Sequence, residues 1–160
     1  LGKRRSHDLA DILSESDIYE GLKSADALVP KARNYYVETQ EQHYLNAHAN
    51  QPYYLLKEVI GSGFPTYVAA FDQVAQSKTA FLFNMTIMRQ ADFQAYTDFL
   101  FDVLGQVEER LDWSELEGQD IRSLGFMAER LLNVWLIANS KRAKEYPVVS
   151  TEKTNWFDKG

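Results

Sequence analysis

Three polar residues interrupt an otherwise apolar stretch near the end of the chain. Glu129, Arg130 and Asn133 stand in the run over 125–139, whose other residues are almost all apolar. Because residues three and four apart share a face of an α-helix, the three side chains form one narrow polar strip on a buried helix. A buried carboxylate must be paired with a cation or face a wet cleft. Glu129 therefore has two interpretations: a structural ion pair, or a catalytic base or sugar-binding carboxylate.

Asn84 lies in a second apolar stretch. The nearly continuous apolar run over 79–88 predicts a strand that is buried on both faces. On such a strand Asn84 and Thr86 point to the same side, and the amide needs partners for up to four hydrogen bonds. Either a loop backbone supplies them or the amide faces a ligand. We predict that the polar strip around Glu129 lines a cleft shared with Asn84.

A third candidate group combines cationic donors with aromatic rings. It comprises Lys31, Arg33, Asn34, Tyr35, Tyr36, His43, Tyr44 and His48. Arginine forks phosphate oxygens, and tyrosine offers a flat face to a base or a sugar. The alternative is a solvated loop with extended side chains, which spacing alone favours. His43 and His48 stand five apart and miss the spacing of a helical zinc pair, so we predict no zinc site.

Several motifs that would identify a class of enzyme are absent from the sequence. The sequence has no phosphate-binding glycine loop, no dinucleotide fingerprint and no nucleophile elbow. It lacks an Asp-x-Asp pair, so the cofactor is unknown and the use of a divalent metal stays open. The absence of cysteine excludes disulfides and thiol nucleophiles and favours a reducing, cytoplasmic compartment. A net charge of −6 predicts no nucleic-acid partner.

The elements that would position these residues alternate between helices and short strands. The 160 residues, of which 45% are hydrophobic, are enough for a single core. We predict helices over 14–24, 39–48, 51–63, 66–76, 93–111 and 125–139, and strands over 25–30 and 79–88. Residues 146–149 are a short terminal strand or an extended tail. Ser14 and Asp17 have capping-box spacing, and Pro52 opens its helix. The fold class is therefore α/β.

Six short motifs stand in a fixed order between residues 30 and 132. They are P-K-x-R-N-Y-Y at 30–36, H-Y at 43–44, Y-x-x-x-F-D at 67–72, F-N-M-x-I-M at 83–88, Y-x-x-F-L-F-D-x-L at 96–104 and G-F-M-x-E-R-L-L at 125–132. Together they resemble a bacterial domain family that is labelled as of unknown function and occurs in capsular and exopolysaccharide glycosyltransferases. The resemblance runs from about Asp8 to the end.

The resemblance implies the helix-rich carboxy-terminal part of a GT-A-like fold. It implies a nucleotide-sugar donor, a lipid-linked saccharide acceptor, and a cytoplasmic location with peripheral contact at the inner face of the plasma membrane. Family members begin earlier, with a nucleotide-binding portion and a His-Tyr-Arg-Arg motif, so Lys3 to Arg5 is the loop after that motif. Residues 1–160 are then the carboxy-terminal portion of a larger domain. A strand as apolar as 81–88 needs neighbours, so we expect exposed apolar surface and self-association.

Two functions are consistent with these observations. In a glycosyltransferase, Glu129 is the catalytic residue. The substrate-binding residues are Asn84, Arg130, Asn133, Lys31, Arg33, Asn34, Tyr35, His43 and Tyr44, and no residue holds a metal. In the alternative, the same body is a non-catalytic scaffold for polysaccharide assembly that binds partners through exposed aromatic residues, namely Phe99, Phe101 and Trp113.

Overall fold

The fold is a mixed α/β arrangement in which helices outnumber short strands. The structure, a computed structural model, describes residues 5–6 and 8–150. Its helices are α1 (Glu15–Ser24), α2 (Gln40–Ala47), α3 (Asn50–Gly63), α4 (Val68–Gln76), α5 (Gln90–Glu108) and α6 (Ser123–Ala138). Its strands are β1 (Arg5–Ser6), β2 (Ala27–Pro30), β3 (Arg33–Asn34), β4 (Thr79–Ala80), β5 (Ile87–Met88), β6 (Ala143–Tyr146) and β7 (Val148–Val149). The predicted fold class and the order of its helices are confirmed.

Two capping boxes fix where the first helices begin. The Ser14 side chain accepts from the Asp17 N–H at 3.2 Å, and the Asp17 carboxylate accepts from the Ser14 N–H at 2.9 Å. Thr39 and Gln42 repeat the same exchange at the start of α2. Each box satisfies backbone donors that a helix start leaves without partners. These helices begin at the residues that the sequence predicts.

The largest sheet has three strands in the order β5, β2, β6. The central strand β2 runs parallel to β6 and antiparallel to β5, and all four of its residues are buried. Helix α1 packs against this sheet at Gly21, where a Cβ atom would stand 2.9 Å from the Leu28 side chain. Two smaller pairs complete the strands: β1 with β7 in parallel, and β3 with β4 in antiparallel register.

Helix α6 lies at the centre of the helical layer. It packs against α3, α4 and α5, and ten of its 16 residues are buried. Its apolar residues join those of the neighbouring helices in one core, which includes Tyr53, Leu56, Val59, Ile60, Phe71, Val103, Met127, Leu131 and Trp135. The prediction of a buried helix at this position is confirmed. Its polar residues therefore need partners inside the protein.

The prediction of a single strand over 79–88 is wrong. β4 and β5 belong to different sheets, and the chain between them turns at Phe83 and Asn84, whose φ angles are 78° and 49°. Asparagine tolerates this left-handed region, but phenylalanine rarely adopts it. The apolar side chains of the loop do not form one ladder face: Leu82 is buried, whereas Phe83 is exposed. An apolar run that packs on a helix has the same composition as a buried strand.

The predicted loop from Lys3 to Arg5 lies largely outside the described residues. Arg5 begins β1, which pairs with Val148 in β7. The remainder of that prediction stays untested.

Candidate functional site

Helix α6 holds the loop 81–84 through two of its side chains and one main-chain carbonyl, on three successive turns. Asn133 donates to the Phe81 carbonyl and accepts from the Phe81 N–H, both at 2.9 Å. Glu129 Oε1 accepts from the Phe83 N–H at 3.1 Å, and the Asn84 side chain donates to the Gly125 carbonyl at 3.0 Å. Positions 125, 129 and 133 are four residues apart and form one stripe along the helix. We call these residues the fastening stripe.

The side-chain amide of Asn133 makes the two hydrogen bonds that the backbone of a neighbouring strand would otherwise make. It is 7% exposed and also donates to the Glu129 carbonyl at 2.8 Å. Its oxygen accepts from the Phe81 N–H and its nitrogen donates to the Phe81 carbonyl. Both main-chain groups of Phe81 are therefore hydrogen-bonded without a neighbouring strand. Asn133 thus has a structural set of contacts and does not line the cavity described below.

Glu129 has one carboxylate oxygen fixed and the other available. The Phe83 N–H orients Oε1, while no described residue donates a hydrogen bond to Oε2. The described residues form no salt bridge to Glu129, so the structural ion pair is not observed. The carboxylate is half-buried and faces a cavity. A carboxylate held by one oxygen presents the other to a ligand in a defined direction.

Arg130 is a buried cation without a counterion among the described residues. The residue is 5% exposed. Its Nη1 donates to the Phe126 carbonyl at 2.9 Å, and its buried Nε has no hydrogen-bond partner among the described residues. The guanidinium lies 4.9 Å from the centroid of the Tyr44 ring. Burial lowers the pKa of Arg130 from its usual value, yet an arginine stays charged at neutral pH. A ring face compensates only part of the lost hydration.

The wall opposite α6 comes from the segment after β2. The β3–β4 pairing, continued by a hydrogen bond from the Tyr35 N–H to the Lys78 carbonyl, brings this segment beside the fastened loop. Arg33 lies 4.6 Å from the Tyr35 ring centroid, and Tyr35 lies 4.1 Å from the His43 ring. His43 in turn contacts the Glu38 carboxylate at 3.1 Å. Hydrogen bonds from Asn46 and His43 lower the pKa of Glu38.

A second histidine, His48, belongs to the third candidate group but not to the predicted substrate-binding residues, and its partners were not predicted as site residues. The His48 ring stacks on Phe126 with centroids 4.2 Å apart, and His48 Nδ1 lies 3.2 Å from an Asp120 oxygen. Phe126 stands one turn before Arg130 on α6, so helical spacing could have placed it in the site. The contact between His48 and Asp120 spans 72 residues and leaves no signal in the spacing.

These walls enclose an open cavity of about 790 Å³. Five predicted site residues line it: Arg33, Tyr35, His43, Glu129 and Arg130. The other lining residues are His48, Leu82, Phe83, Gln119 and Phe126. Its size is within the range of small-molecule sites. The cavity combines two arginines, two histidines and one carboxylate with several ring faces.

The remaining predicted site residues lie elsewhere. Tyr44 is fully buried beneath Arg130, and burial raises its pKa to about 12. Asn34 accepts from the Tyr36 N–H in a turn, and the Lys31 N–H donates to the Tyr146 carbonyl. Asn84 is exposed and lines a separate, apolar cavity between α5 and α6. The predicted cleft between Glu129 and Asn84 is therefore not one space, although the same loop contacts both.

The aromatic set of the scaffold hypothesis is not a single exposed cluster. Phe99 is 6% exposed and stacks on Tyr67 at 4.1 Å, so its assignment to the surface is wrong. Its position on α5 follows the apolar face of that helix. Phe101 and Trp113 are exposed.

Two further properties concern metals and membranes. Within residues 5–6 and 8–150, no three histidine or acidic side chains come close enough together to hold a metal ion. None of the helices in the described part of the chain is long and apolar enough to cross a bilayer.

The fold and cavity define an α/β domain with a polar cleft built on one buried helix. The chain belongs to the family described as "Domain of unknown function (DUF4422)", which matches residues 2–140. Its fold is similar to the solved apo structure of the WbbM bifunctional glycosyltransferase, with a TM-score of 0.75 and 23% sequence identity over 85% of this chain. The match covers 26% of that protein, so the chain spans about a quarter of its length. A comparison with curated proteins found no match.

Proposed function

We propose that this chain is the carboxy-terminal portion of a GT-A-like glycosyltransferase domain that moves a sugar from a nucleotide-sugar donor to a saccharide acceptor. The observation that carries the proposal is a cavity lined by both Glu129 and Arg130. Within the described residues, Glu129 Oε2 accepts no hydrogen bond and Arg130 has no counterion. The similarity of the fold to WbbM supports it. Such transfer needs a base for the attacking hydroxyl and positive charge for the leaving diphosphate.

Glu129 is the proposed general base. Its Oε2 accepts the proton of the acceptor hydroxyl as that oxygen forms a bond to the anomeric carbon, while the bond from this carbon to the diphosphate breaks. The hydrogen bond from Phe83 keeps the carboxylate in place. Fixed geometry matters because proton transfer requires a base within hydrogen-bond reach of the hydroxyl.

The opposite wall is proposed to hold the rest of the substrate. The rings of Tyr35, which is tilted against His43, and of Phe126, which is stacked on His48, offer flat faces for a sugar. Arg33 extends the positive charge at the rim. The biological context we propose is capsule or exopolysaccharide synthesis with a lipid-linked acceptor, at the inner face of the plasma membrane and with self-association. A divalent metal remains compatible with this reaction.

The test is Glu129→Gln in the protein as the cell makes it, with transfer followed by the release of nucleoside diphosphate. We expect turnover to fall at least about 100-fold, since glutamine cannot take a proton. Its carbonyl oxygen still accepts from the Phe83 N–H, so the melting temperature should change little. Glu109→Gln is the matched control, because Glu109 is exposed at the end of α5, outside the cavity.

Two outcomes would count against the proposal. Normal specific transfer by the glutamine variant would remove Glu129 from the chemistry. If the unmodified protein transferred no sugar from any nucleotide-sugar donor in a broad panel, the assignment of the reaction class would be wrong.

A further inference from the structure

A structural arginine that is buried normally pairs with a carboxylate, and Arg130 has no such pair among the described residues. Its nearest charged and ring partners are tyrosines and the neighbouring Glu129, and the described residues form no salt bridge to it. A buried charge without a counterion destabilises the folded state. An anionic ligand in the cavity would supply the missing counterion, so that stability is exchanged for binding.

Of the two outer nitrogens of Arg130, Nη1 is engaged and Nη2 has no hydrogen-bond partner among the described residues. Nη1 bonds to a helix carbonyl, Tyr44 covers one face, and the residue lines the cavity with Glu129, which shares no salt bridge with it. The carbonyl of Phe126 already accepts the main-chain N–H of residue 130 within α6, so the guanidinium is not needed to satisfy it. No described contact of Arg130 therefore requires an arginine.

The other charges of the cavity indicate the kind of anion. Arg33 stands on the opposite wall, while the carboxylates nearest the two histidines, Glu38 and Asp120, are already engaged by them. Two arginines on two walls suit a ligand with more than one anionic group, and the planar guanidinium fork fits phosphate oxygens. A single carboxylate would leave one arginine without a partner.

We infer that Arg130 is the primary anchor of a diphosphate-binding subsite in this cavity. The inference rests on the proposed function, since a sugar-transfer enzyme meets diphosphate in two forms. One is the nucleoside diphosphate of the donor, and the other is the diphosphate that links an acceptor to a lipid. Both present the same chemistry to Arg130, with the sugar-bearing side toward Glu129.

The experiment compares Arg130→Met with the unmodified protein, both as the cell makes them, using thermal melting and titration calorimetry with inorganic pyrophosphate. Methionine fills the space over Tyr44 without a charge. We expect the melting temperature of the ligand-free variant to equal that of the unmodified chain or to exceed it by up to about 3 °C. Pyrophosphate should raise the melting temperature of the unmodified chain, and its affinity for the variant should fall about tenfold to hundredfold.

Two further variants keep the test decisive. Arg130→Lys retains the charge but not the fork, so it should bind pyrophosphate with intermediate affinity even if the methionine variant folds poorly. Arg110→Met is the control, since Arg110 pairs on the surface with Glu58 at 3.4 Å, away from the cavity, and its loss should leave affinity unchanged.

The choice of probe separates the two sources of diphosphate. Tighter binding of uridine diphosphate than of pyrophosphate supports the donor, and tighter binding of farnesyl diphosphate supports the lipid-linked acceptor. Unchanged affinity in both Arg130 variants, or binding of glucuronate but not of pyrophosphate, overturns the inference. If pyrophosphate binds through Arg130 but Glu129→Gln transfers sugar normally, the diphosphate subsite stands and the proposed catalytic role falls.

Discussion

Asn133 offers the sharpest test of how α6 holds the loop 81–84. In Asn133→Ala, the Phe81 N–H and carbonyl each lose a 2.9 Å hydrogen bond at a half-buried position. Each unsatisfied group costs about 1 kcal/mol at this degree of burial, and the space left by the amide adds about 1 kcal/mol. We therefore expect the free energy of unfolding to fall by about 3 kcal/mol, measured by urea denaturation at neutral pH.

Asn139, the C-cap residue of the same helix, is a matched control. Its amide also donates to the carbonyl four residues earlier, at 2.9 Å, but its only other described contact is 3.5 Å long and it is exposed. Asn139→Ala should cost less than about 0.5 kcal/mol. Asn133→Asp separates hydrogen bonding from volume, because a carboxylate cannot donate to the Phe81 carbonyl, and it should cost at least as much as alanine. An aspartate variant as stable as the unmodified chain would refute this account.

Two further predictions concern other parts of the fold. Gly21→Ala should lower stability by about 1 kcal/mol despite the higher helix propensity of alanine, because its Cβ would stand 2.9 Å from buried Leu28, whereas Gly105→Ala, with no atom within 4 Å, should raise stability by about 1 kcal/mol in the same urea assay. A hydrogen bond from the Arg142 N–H holds the pKa of Asp26 below its usual value, so the contribution of Asp26 to stability is present at neutral pH and is lost as the pH falls through the folded-state pKa. Asp26→Asn should therefore be about 1 kcal/mol less stable than the unmodified chain at pH 7 and equally stable near pH 2, as measured by urea midpoints; a constant difference across that range would contradict the assignment.

Local signals predicted the helices well. The capping boxes at Ser14 and Thr39 involve residues three apart, and the apolar stripe of α5 repeats within each turn. Such patterns are complete within a short window, so one sequence is enough to read them. The polar strip on α6 was predicted for the same reason, and it does contain two lining residues of the cavity.

The spacing of residues along the chain does not predict contacts between residues that are far apart in the sequence. The bonds from Asn133 to Phe81 join residues 52 apart, and they are what allows an apolar segment to leave the sheet. Composition could not distinguish that loop from a buried strand, since both require the same side chains. Asn84 was therefore placed on the wrong kind of element, and the partnership of His48 with Asp120 was missed.

The two roles of α6 follow from the geometry of a helix. Residues 125, 129 and 133 form the fastening stripe, while 126 and 130 lie about 100° further round and face the cavity. Glu129 belongs to both, since one oxygen fastens the loop and the other faces the cavity. Substitutions in the fastening stripe should therefore act first on stability, and substitutions at the positions that face the cavity should act on binding. Loss of Asn133 should weaken the fold and, by releasing Leu82 and Phe83, also the cavity, whereas loss of Arg130 should weaken binding while the fold is kept.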